Sequence, residues 1–164
     1  MPARSIRDEI KQRRPFPSAE QEAIVALLRT ASDVAHRIEA MVSREGLTQP
    51  QYNVLRILRG ADGTLPTMEV AARMVTPTPG ITRLIDRLAT RGLVRRVPCG
   101  EDRRRTFCAI TDEGVAALDR LDPVVTASAR EVMRGLRDED LATLLRLLAE
   151  VREGMRTAEG HPTV

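Results

Sequence analysis

Arginine is the residue type in this chain whose number and spacing could do chemistry. Between Ile81 and Ile110 stand eight arginines (83, 87, 91, 95, 96, 103, 104 and 105) against three acids, Asp86, Glu101 and Asp102. The local surplus of five charges sits in a chain of 164 residues whose formal net charge is only +3. A planar guanidinium pairs bidentately with phosphate and with the guanine edge. A concentrated cationic surplus is the footprint of a phosphate-binding surface. Aromatic residues are few, namely Phe16, Tyr52 and Phe107, which argues against single-strand binding through base-stacking platforms.

Other chemistries are poorly supported. His36 and His161 lie far apart and neither accompanies a cysteine pair, so no metal-ligand spacing exists. There is no Ser/His/Asp set, phosphate-cradling glycine loop or shielded carboxylate pair. A non-enzyme without cofactor or metal is therefore expected. Cys99 and Cys108 read as reduced thiols of a cytosolic protein; the alternative is a redox switch, since the two strands could bring their Cα atoms within the roughly 7 Å a bridge needs.

The elements that must position the arginines read as a helix, a turn, a second helix and a basic ribbon. In the second helix Ile81, Leu84, Ile85 and Leu88 make one apolar stripe of helical period. Thr82, Arg83, Asp86, Arg87 and Thr90 occupy the opposite face. Thr78 is the expected N-cap with Pro79 at the first helical position, and Thr76 before Pro77 is the competing start. Gly92 is expected to end the helix, with Leu93 packing back on it. Residues 93–99 and 106–110 read as strands. A short helix pair whose second member docks by one face suits reading of a DNA major groove.

The run ITRLIDRLATRGLVRR, followed by EDRRRTFCAITDEG, resembles the MarR family of bacterial winged helix-turn-helix regulators. The family's wing pattern is matched by Asp102, Arg104, Ile110-Thr111 and Glu113-Gly114, with Ile in place of Leu. The resemblance extends from about residue 19 to 155. It implies a mainly α fold with a small two- or three-stranded β wing, and long N- and C-terminal dimerisation helices. It also implies a homodimeric repressor of double-stranded DNA, bound over a pseudo-palindromic operator. Thr78, Thr82, Arg83 and Arg87 are then candidates for base edges and flanking phosphates, and Arg103 and Arg105 for the minor groove. Asp86 is expected to pair with Arg104 of the Asp-x-Arg motif, tying wing to helix. Relatives commonly hold small aromatic or phenolic molecules, and His36, Met41, Tyr52 and Met68 could line such a cavity. The alternative function is a helical interaction protein that offers its basic wing to another acidic partner.

The rest of the chain supplies the frame. Residues 1–17 read as a polar arm, 18–158 as one domain and 159–164 as a tail. Ser18 with Gln21, and Thr48 with Gln51, are capping-box pairs. The helix after Ser18 carries Ile24, Leu27, Leu28, Ala31, Val34, Ala35, Ile38, Met41 and Val42 at helical spacing. Thr111 is expected to cap a further helix, kinked or broken at Pro123. A last helix from Asp138 carries Leu141, Leu144, Leu145, Leu148, Val151 and Met155. Residues 18–45 and 112–158 are longer than the 48–111 lobe needs, so their stripes predict burial against a second copy. No run of about 18 apolar residues occurs. The first seventeen residues lack the apolar core of a secretory signal, so no membrane partner and a cytoplasmic location are expected.

Overall fold

The computed structural model describes residues 4–61, 63–98 and 106–159. Among them, seven α-helices and three strands follow in order: α1 (Ile6–Glu9), α2 (Ala19–Val42), α3 (Gln49–Arg59), β1 (Leu65–Pro66), α4 (Thr67–Ala72), α5 (Ile81–Thr90), β2 (Val94–Pro98), β3 (Thr106–Ile110), α6 (Asp112–Met133) and α7 (Asp138–Glu159), with one 3-10 turn, Ser43–Glu45, after α2. They form two compact units, residues 1–122 and 123–164, and the boundary falls inside α6. The α6 helix runs through Pro123 without a break.

In the first unit, local sequence chemistry sets the helix ends. The Ser18 hydroxyl accepts from the Gln21 amide at 3.3 Å to start α2. Thr48 and Gln51 make a complete reciprocal box at the start of α3, at 3.5 and 2.9 Å, with Pro50 in the first turn. The end of α5 is as expected: Gly92 adopts φ 72°, its amide donates to Ala89 O, and Leu93 N donates to Leu88 O. That pair of bonds satisfies two carbonyls the helix would otherwise leave open.

The start of α5 differs from expectation. Its N-cap is Gly80, left-handed at φ 75°, and no side chain caps it. Thr78 instead donates its hydroxyl to Thr76 O at 3.0 Å, inside the turn. Two prolines, Pro77 and Pro79, keep the chain extended until a glycine can reverse it. Nor does the Thr67 side chain cap α4. Its hydroxyl donates across to Thr106 O at 3.1 Å and stitches α4 to the sheet.

The sheet has the order β1-β3-β2 and is antiparallel throughout. Val94 faces Ile110, Arg96 faces Cys108, and Leu65 faces Cys108 from the other side. Cys108 is fully buried beside the Thr67 hydroxyl, at 3.5 Å; Cys99 lies outside the described residues. The core of this unit joins Val42, Leu47, Val54, Leu55 and Leu58 to Val70, Ile85, Leu88, Leu93 and Leu118.

Thr111 locks the start of α6 to the end of α5. Its hydroxyl donates to Gly92 O at 2.6 Å and accepts from Gly114 N at 3.1 Å. Gly114 is where the helix passes closest to its neighbours. A Cβ there would overlap the Leu93 carbonyl oxygen and stand 2.7 Å from Ile110 Cγ1. The glycine of the Glu113-Gly114 pair thus has a packing reason.

In the second unit, none of residues 138–157 of α7 is buried. Leu145, Leu147, Val151 and Met155 are all exposed.

Candidate nucleic-acid interface

The α5 stripe is satisfied inside the first unit: Ile81, Ile85 and Leu88 are buried. Burying that face turns the other one outward, and Thr82, Arg83, Asp86, Arg87 and Thr90 are exposed. Arg83 and Arg87 stand four residues apart, hence on one face. Both line a depression of about 520 Å³ with Thr78, Pro79, Gly80, Thr48 and Glu39. Glu39 is the acid of this surface, and its carboxylate accepts the Gln49 amide at 2.6 Å. It therefore serves the N-terminus of α3, where an anion is favoured.

Asp86 sits between the two arginines, and its partner among the described residues is Arg96 of β2. The Arg96 Nη2 donates to Asp86 Oδ1 at 2.6 Å and to Thr82 O at 3.3 Å. Arg104, the partner expected for Asp86, lies outside the described residues. Strand β2, rather than the wing tip alone, therefore supplies a cation to the middle of α5. Neutralising Asp86 removes an acid that would repel phosphate.

The eight arginines divide by role. Arg91 directs its fork at two backbone carbonyls, Gly46 O at 2.7 Å and Glu45 O at 3.0 Å, and so ties the end of α5 to the turn before α3. Arg96 is engaged as above. Arg83, Arg87 and Arg95 are exposed and have no ion-pair partner among the described residues. Arg103, Arg104 and Arg105 lie outside those residues. The structural roles of Arg91 and Arg96 have no sequence signature, because each depends on a partner at least ten residues away.

A second concavity, of about 180 Å³, opens beside α3. Ile38, Pro50, Tyr52, Met74 and Val75 give it apolar walls, and Gln49, Asn53, Arg56, Thr76 and Thr78 give it polar groups. Of the four residues expected to line a ligand cavity, Tyr52 does so. It is buried and the Arg56 guanidinium lies 5.9 Å from its ring centroid. His36 is exposed on α2, Met41 is half-buried, and neither lines the cleft. Met68, at 74% exposure, sits on the outer side of α4. Asn53 and Arg56 were not singled out from the sequence. The available signal was two polar side chains, one and four residues after Tyr52 in α3.

A three-stranded sheet, a helix pair with an outward basic face, and a hairpin after the second helix together define a winged helix-turn-helix protein. The chain matches the sequence model of the MarR family over residues 45–105. It is similar to AbsC, a MarR-family transcriptional regulator from Streptomyces coelicolor, at 27% identity and TM-score 0.77, over 88% of this chain and 99% of that one. It is similar to Sco3205 of the same organism, solved in complex with DNA, at 26% identity and TM-score 0.74, over 87% and 92%. NadR, solved in complex with 4-hydroxyphenylacetate, matches at 25% identity and TM-score 0.68, over 84% and 97%. No helix among the described residues is long and apolar enough to cross a membrane, and they hold no cluster of three or more metal-ligating side chains.

Proposed function

We propose that this chain is a homodimeric, sequence-specific regulator of double-stranded DNA, a repressor whose affinity is tuned by a small molecule. The carrying observation is the outward face of α5: Arg83 and Arg87 project together while the acid between them is held by Arg96. Thr78, Thr82, Arg83 and Arg87 contact base edges and adjacent phosphates. Arg103 and Arg105 act at the minor groove or its phosphates. Asp86 is a wing anchor through Arg96, and Arg104 of the Asp-x-Arg motif joins it there. The DNA complex of Sco3205 supports the duplex as partner. A binding role, not catalysis, and a cytoplasmic location go with that partner.

The effector is a small aromatic or phenolic molecule held in the Tyr52–Arg56 cleft, a reading supported by the 4-hydroxyphenylacetate bound to NadR. The cleft's one cationic lining residue, Arg56, would favour an acidic group on such a ligand.

Selection of duplexes from a random-sequence pool, followed by titration at several salt concentrations, tests the DNA reading. Wild type enriches a two-fold-related sequence. Arg83→Ala weakens binding by about 1–3 kcal/mol and relaxes preference at one position, if it reads a base. A pool that returns no enriched sequence sinks the reading.

A further inference from the structure

We propose that Asn53 is the positioning residue of α5: its side-chain oxygen, in the cleft, holds the turn from which that helix starts. The proposal rests on the reading of α5 as the DNA-contacting helix.

The turn is residues 75–80, Val-Thr-Pro-Thr-Pro-Gly. Pro77 and Pro79 have no N–H to give. Among the described residues, one hydrogen bond ties this turn to another element: Val75 N donates to Asn53 Oδ1 of α3 at 2.9 Å. The Thr78 bond to Thr76 O stays within the turn. No side chain caps α5, and its first backbone bond, from Leu84 N, ends on Gly80 O at 3.2 Å. The buried stripe, the Arg91 bonds and the Arg96 bond to Thr82 O hold the body of α5, and the turn before it is the part with fewest ties. The place of that turn is set through Val75, and Val75 is held by Asn53.

The placement of the two concavities gives the bond a regulatory meaning. Asn53 and Val75 both line the Tyr52–Arg56 cleft. Thr78 lines that cleft and also the depression that holds Arg83 and Arg87. One six-residue turn is thus a wall of the first and a rim of the second. A ligand in the cleft that donates a hydroxyl or N–H to Asn53 Oδ1 shares an acceptor already used by Val75. The Val75 bond weakens, the turn loosens, and the start of the arginine-bearing helix is held less firmly. A phenolic hydroxyl is a donor of this kind.

Amide exchange measured by NMR on the free protein tests the latch without any ligand. Asn53→Leu removes the acceptor at similar volume, and Asn53→Asp keeps it; Asn53→Ala replaces the leucine variant should that one not fold. Exchange at the Val75 and Leu84 amides is expected to rise about threefold to tenfold in Asn53→Leu, the worth of one ordinary hydrogen bond. Leu58 in the middle of the core should be unchanged, and Asn53→Asp should exchange like wild type at Val75. Affinity for the duplex selected by wild type should fall by a similar factor in Asn53→Leu. Equal exchange at Val75 in the three proteins overturns the latch. Faster exchange with undiminished affinity overturns its link to α5. Should wild type select no duplex, the DNA reading fails, and the exchange data still decide whether Asn53 holds the turn.

Discussion

Helices α5 and α7 are both amphipathic, yet they end in opposite circumstances. The ten residues of α5 bury Ile81, Ile85 and Leu88 within their own unit. The apolar residues of α7 find no such cover, with Leu145 at 62% and Val151 at 49% exposure. The early part of α2 resembles α7, since Leu28 is 65% exposed. A helix whose stripe is satisfied can devote its other face to a ligand such as DNA. A helix whose stripe is unsatisfied carries an unfinished interface, and a second copy of the chain is the partner we propose for it.

The largest effect should come from breaking the unsatisfied side. At micromolar concentration the wild type should sediment as a dimer of about 36 kDa, twice the 18.2 kDa chain. Leu145→Glu with Val151→Glu should shift it to monomer by at least a hundredfold in dissociation constant, because each buried aliphatic side chain is worth about 1.5–3 kcal/mol. A wild-type monomer that melts cooperatively would end the contrast between the two helices.

Two glycines sharpen the comparison at intermediate scale. Gly114→Ala drives a methyl into the Leu93 carbonyl and the Ile110 side chain, and should cost about 1–3 kcal/mol or more. Gly154 of α7 has nothing within 4 Å of its would-be Cβ. Gly154→Ala should therefore stabilise the helix by about 0.4–1 kcal/mol. Chemical denaturation of both variants checks the pair. A destabilised Gly154→Ala dimer would mean that α7 packs closely on its partner at that point.

The smallest effect is electrostatic and lies within the first unit. Arg59 of α3 grips Asp122 with two bonds, 2.8 and 3.0 Å, and reaches Asp119 at 3.4 Å. The hydrogen bond from Arg59, followed by its charge, holds the Asp122 carboxyl below its ordinary value of 3.8. A depressed carboxylate stabilises the fold above that ordinary value. Its contribution is lost as pH falls through the lower, folded value. Asp122→Asn should lower stability at pH 7 by no more than about 1 kcal/mol, since the pair is partly exposed. The difference from wild type should shrink as pH falls below that ordinary value and vanish once the folded carboxyl is protonated, as followed by thermal melts taken from pH 7 down to about pH 2. A difference that persists at low pH would mean that the contact matters for packing, not charge.

Much was settled by the sequence alone, and the reason is locality. The Thr48–Gln51 box, the Gly92 stop, the α5 stripe and the cap at Thr111 each depend on residues within a few positions of one another. The arginine surplus and the wing motif are also local, and they point to duplex DNA. Tertiary structure decided what depends on distant partners. It gave Asp86 an arginine from β2, placed Arg91 on the carbonyls of Glu45 and Gly46, and moved the start of α5 from Thr78 to Gly80. It also set Asn53 and Arg56, rather than His36, Met41 and Met68, beside Tyr52. A backbone cap can be foreseen because its geometry is fixed by a single turn. A cleft or a cross-strand ion pair cannot, because helix crossings and strand register bring those groups together only after the core has packed.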